Sequence, residues 1–154
     1  MTELPDAFWQ GVEQFNQREF YACHDTLEAL WMEAVEPDKK FYQGILQVAV
    51  ALYHLSNQNW RGAVILLGEG TNRLRGYQPT YAEIDVEQFQ ADAFHLLTTL
   101  QQTGPEAVAM VMQQLGLTQT PEVALPDASE AAIAPSDTNS HPPLTIPTLR
   151  KVAP

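Results

Sequence analysis

The chain has 154 residues, 45% of them hydrophobic, with 8 Lys and Arg against 19 Asp and Glu, a formal net charge of -11. That length supports one domain with a core of its own and is short for two, and the negative charge disfavours nucleic acid and anionic lipid as partners. Cys23 is the sole cysteine, which excludes an internal disulfide and a thiolate metal cluster within one chain.

The start, Met1-Thr-Glu-Leu-Pro-Asp6, has neither the basic opening nor the apolar run of a signal peptide. The longest apolar stretch, around Ile45 to Leu55, is short for a bilayer span and is interrupted by Gln47, Tyr53 and His54. An acidic, cytoplasmic protein without membrane contact is the expectation.

Pro5-Asp6 opens a first helix with Asp6 as its cap and Phe8, Trp9, Val12 and Phe15 on its apolar face. A second helix is predicted from about Glu19 to Ala34, where Phe20, His24, Leu27 and Trp31 recur at spacings of one helical turn. Pro37 ends that element and Asp38 is placed to cap the next. The third helix, Asp38 to Ser56, is the most apolar and therefore central, with Phe41, Ile45, Val48, Ala49, Leu52 and Leu55 on a broad face.

A fourth helix follows from about Trp60 to Tyr77. Gly68 and Gly70 inside it would each cost about 1 kcal/mol against alanine unless they serve close packing. Asp85, with Gln88 three residues on, begins a fifth helix carrying Phe89, Ala93, Leu96, Leu97 and Leu100. Gly104-Pro105 starts a last short helix that Gly116 closes in the left-handed conformation. No alternating strand pattern with hairpin turns occurs. The reading is all-α: a single bundle of about six helices over residues 1–117.

From Thr118 prolines punctuate Ala, Ser, Thr and Asp, and no periodic apolar face survives. Residues 118–154 read as a disordered proline-rich tail. Within it only Leu144 to Val152 is apolar and basic enough to dock, and a plain tail is the preferred reading of that stretch as well.

The hairpin of the second and third helices carries the candidate site. Antiparallel neighbours across its short turn have numbers summing to roughly 71 or 72, which sets His24 opposite Gln47 and Glu28 opposite Gln43. His24 and Glu28 share a face one turn apart, as do Gln43 and Gln47. A mutually hydrogen-bonded set of four would fix helix register without a ligand. Alternatively His24 and Glu28 ligate a divalent metal. A third ligand is missing, because His54 lies roughly 10 Å along the helix, so the network is preferred and no metal response is expected. His54 reads as a core histidine and Trp31 as a largely buried aromatic neighbour of the patch. No motif names a catalytic residue or a cofactor.

The residues Phe15-x4-Phe20-Tyr-x2-His24-x2-Leu-Glu28-x2-Trp31, then Phe41-Tyr-Gln43-Gly44-Ile-Leu-Gln47-x-Ala49, His54 and Asn59-x-Arg61-Gly62-Ala63-x2-Leu-Leu67 resemble a small all-helical family of bacteria, archaea and plastids. It is a domain of unknown function, number three hundred and nine in that series. The resemblance covers about Phe8 to Tyr77, and its pattern includes His24, Glu28, Trp31, Gln43, Gly44, Gln47 and His54. The family usually has His-Glu where this chain has His24-Asp25, and often Arg at Lys39 or Lys40. The resemblance implies a helical bundle with a shared polar site and carries no activity with it. Three readings stay open: a bundle binding a small ligand or protein partner at the patch, a metal-dependent hydrolase-like enzyme using His24 and Glu28, and a helical-repeat-like interaction module. A protein partner or a second copy of the chain fits the first and the third.

Overall fold

The computed structural model describes residues 4–117 and 144–152. Its helices are α1 (Asp6–Asn16), α2 (Phe20–Glu33), α3 (Asp38–Ser56), α4 (Trp60–Leu74), α5 (Val86–Thr103) and α6 (Val108–Leu115), with a small antiparallel hairpin of β1 (Thr80–Tyr81) and β2 (Ile84–Asp85). The all-helical bundle read from periodicity is the fold. None of the described helices is long and apolar enough to cross a membrane.

The broad apolar face of α3 makes it the axis of the bundle. Phe41, Ile45, Val48, Ala49, Leu52 and Leu55 are all buried. It pairs antiparallel with α2: Lys39 Nζ donates to the Trp31 carbonyl at 2.7 Å near the turn, and the Tyr21 and Tyr53 rings lie 5.4 Å apart at the far end. On the other side α4 approaches closely, because Gly70 sits against the Gly44 carbonyl and the Val48 side chain. α5 closes the bundle, held in part by Trp60 Nε1 donating to the Leu100 carbonyl at 2.8 Å.

Helix ends follow the sequence signals in places. The Asp85 side chain accepts from Gln88 N at 3.0 Å, and Gly116 takes φ +74° after α6. Asp6 and Asp38 are not the caps expected of them; Pro5 and Pro37 occupy those positions. The Asp38 carboxylate instead accepts from the Tyr81 hydroxyl at 2.5 Å, which ties α3 to the hairpin.

Two expectations are corrected here. Strands do occur, in the hairpin whose turn, Ala82-Glu83, holds both residues at positive φ. Those residue types lack the Asn-Gly or Asp-Gly signature that would have announced it. The reading of Leu144 to Val152 as plain tail is the second. Residues 118–143 lie outside the described residues, whereas 144–152 lie against the core, with Ile146 and Leu149 buried. Two apolar anchors and main-chain hydrogen bonds hold the segment, and neither requires the helical or alternating periodicity that the segment lacks.

Candidate functional site

α2 presents its buried stripe, Phe20, Cys23 and Leu27, to the core. The next residues round the helix therefore reach its outer edge. There His24 Nδ1 lies 3.2 Å from Asp25 Oδ1, and His24 Nε2 lies 4.0 Å from Glu28 Oε1. One ligand atom from each of His24, Asp25 and Glu28 falls within 4.8 Å of the other two. The side chains are 26%, 63% and 50% exposed, so this is an open surface cluster and not part of a buried network. The Tyr21 ring stacks on His24 with centroids 6.1 Å apart and continues to Tyr53.

The four-residue network predicted across the hairpin is not what holds Gln47. Its Nε2 donates to Glu69 Oε1 of α4 at 2.9 Å. The reason is the close α3–α4 approach at Gly44 and Gly70, which brings α4 within reach of the Gln47 amide. Gln43 is half-buried one turn away on α3. His54 stands at the end of α3, half-buried, with Nδ1 3.2 Å from the Asn59 amide nitrogen. The same Asn59 accepts from Gly62 N at 3.0 Å to cap α4. His54 is thus part of the α3–α4 corner and is not brought to His24.

Trp31 is partly buried against the core, with Lys39 Nζ 4.2 Å from the centre of its ring. Its indole Nε1, Gln47 Oε1 and Arg73 Nε are buried without a hydrogen-bond partner among the described residues. Each such atom costs about 1–3 kcal/mol when left unpaired. All three belong to α2, α3 and α4, the helices around the candidate patch.

Cys23, next to His24 in sequence, points the other way into the core, and burial pushes its thiol up to about 12. Its ordinary value is 9.0, so above that pH the unfolded chain holds fewer protons than the folded one. This contribution to stability is intact below pH 9 and is lost progressively from about 9 to 12. Iodoacetamide should accordingly leave the folded chain unlabelled at about pH 8.5 and modify Cys23 only after denaturation. Native labelling at the rate of a free thiol would show that Cys23 is accessible.

Sequence reasoning missed Asp25, Glu69 and the Tyr21–Tyr53 pair. Adjacent helical residues normally diverge, which set Asp25 aside, although the acidic residue that follows the family's histidine was a visible signal. Glu69 had no signal without the α3–α4 register.

Residues 8–66 match the family model of DUF309, a domain of unknown function. The matched segment runs from α1 into α4 and contains His24, Asp25, Glu28, Gln43, Gln47 and His54, while Glu69 and Arg73 lie beyond it. The uncharacterized protein YpuF of Bacillus subtilis (strain 168) is 35% identical over 101 residues, which cover 63% of this chain and 54% of that protein. The chain thus spans about half the length of this curated relative. No solved structure matches the chain.

Proposed function

We propose that the DUF309 segment binds a small polar ligand on the α2–α3 face, with a positively charged group seated on His24, Asp25 and Glu28. A divalent cation is the smallest ligand of that kind. The convergence of one nitrogen and two carboxylate oxygens within 4.8 Å carries the reading. Metal–ligand bonds of about 2.0–2.2 Å place neighbouring donors about 3–4 Å apart, a spacing that small side-chain rotations reach from the 4.8 Å within which these three atoms lie. Asp25 supplies the third donor that the sequence reading lacked. The solvent-facing side would leave coordination positions for a ligand.

The test is a thermal melt of the wild type with increasing free Zn2+ or Mn2+. A bound ion should raise the melting temperature in proportion to the logarithm of its concentration beyond saturation. Asp25→Asn, Glu28→Gln and His24→Ala should each remove most of that rise. A wild type indifferent to both ions would refute the seat for a metal, and with it the hydrolase-like alternative built on His24 and Glu28.

A protein partner remains the second reading, favoured by one observation. Tyr21 and Tyr53 are 60% and 39% exposed and lie side by side next to the cluster, and tyrosine is enriched where proteins meet. On that reading Tyr21→Ala would weaken binding with no change in any metal response.

A further inference from the structure

The segment Leu144-Thr-Ile-Pro-Thr-Leu-Arg-Lys-Val152 is extended for local reasons. Pro147 has no N–H and a fixed φ, and it holds Ile146 before it away from helix. Ile146 and Leu149, three residues apart, are buried on the core. Between and beyond them the segment is held chiefly by its main chain. The Asn16 amide at the end of α1 grips one residue in both directions: Nδ2 donates to the Leu149 carbonyl at 2.9 Å, and Oδ1 accepts from Leu149 N at 2.8 Å. Asp85 N donates to the Arg150 carbonyl and Val152 N to the Glu83 carbonyl, both at 2.9 Å. Lys151 pairs antiparallel with Ile84, so the segment adds to the edge of β2.

The charged end is matched too. Lys151 Nζ lies 3.8 Å from Glu83 Oε1 and 4.7 Å from the centre of the Trp9 ring. In a chain of net charge -11 the segment ends on the basic pair Arg150-Lys151. Backbone pairing at a sheet edge with pockets for a few side chains is how extended peptides are recognised in general.

We propose that the surface formed by Trp9, Asn16 and the β2 edge is a docking site for an extended segment of a partner protein, and that residues 144–152 are its resident, displaceable occupant. The partner segment carries two apolar anchors three residues apart, followed by a basic pair. The footprint is short: two anchors, four main-chain hydrogen bonds and one exposed ion pair. Occupancy by so small a footprint is sustained by tethering, which gives a linked segment an effective concentration in the millimolar range. A partner segment with better-fitting anchors therefore displaces it without disturbing the helices.

The probe is a fluorescent peptide spelling Leu144 to Val152, added to the full chain. In an Ile146→Asp/Leu149→Asp variant the tethered segment is disabled and the receiving surface is intact, so the peptide should bind in a one-to-one complex. The wild type should bind it saturably but about tenfold or more weakly, through competition with its own segment. Adding Asn16→Ala to the double variant should abolish binding while far-UV helicity is kept. If the double variant loses helicity, Leu149→Asn alone serves in its place. A helical variant that ignores the peptide would overturn the proposal, as would equal affinity for variant and wild type. So would a wild type that takes no peptide at millimolar concentration, since the segment would then be a fixed part of the fold.

Discussion

Alanine at Phe89 should destabilise the protein by about 3–5 kcal/mol, the range for removing a buried phenylalanine. The side chain is 1% exposed, and its ring meets Phe15 edge-on with centroids 5.3 Å apart. Phe15 in turn meets Phe20 edge-on at 5.3 Å. One run of rings thus joins α5 to α1 and α2, and truncation at its end leaves a cavity that rigid helices fill poorly. Domains of this size have only about 5–15 kcal/mol of stability, so the variant should unfold at clearly lower denaturant. A loss below about 1 kcal/mol would mean that α5 packs elsewhere.

The second large effect is a difference in sign between two neighbouring glycines. A Cβ on Gly70 would stand 2.9 Å from the Gly44 carbonyl oxygen and 2.9 Å from Val48 Cγ2. Because one of these is backbone, α3 and α4 must move apart, and Gly70→Ala should lose about 1–3 kcal/mol through overpacking despite alanine's better helix propensity. A Cβ on Gly68 meets nothing within 4 Å. Gly68→Ala should therefore gain up to about 1 kcal/mol. Paired urea melts decide it, and two stabilised variants would show that α3 and α4 do not approach as described. The Gln47–Glu69 hydrogen bond depends on the same approach, so Gly70→Ala should perturb that pair as well.

Those glycines also mark where sequence reasoning ends. Periodicity located α3 at Asp38–Ser56 and the core it carries, because a broad apolar stripe has one interpretation. It could not separate Gly68 from Gly70, since both look alike until the α4 register is known. The candidate site was legible to the same depth. His24 and Glu28 were placed on one face by their spacing of four, and that neighbourhood is present. Their partners were not, because a register rule for α2 and α3 says nothing of α4, which claims Gln47, or of the local rotamer that turns Asp25 toward His24. The hairpin at Thr80–Asp85 and the docked Leu144–Val152 escaped for a common reason. Short extended pieces are specified by what they pair with, and their own residues carry little pattern.

Asn16 and Leu149 are 133 positions apart, and the contact between them bears on the order in which the molecule is assembled. Helix pairs such as α2 with α3 close over a few residues, and their ends find each other quickly. The Asn16 clamp needs α1 in place, the β2 edge formed and a chain closure of 133 positions, whose entropic cost grows with length. It belongs at the end of any folding sequence. The helical bundle must then stand for some time with the Ile146 and Leu149 seats empty, and the apolar surface beneath them is what a newly made chain would show longest to its surroundings.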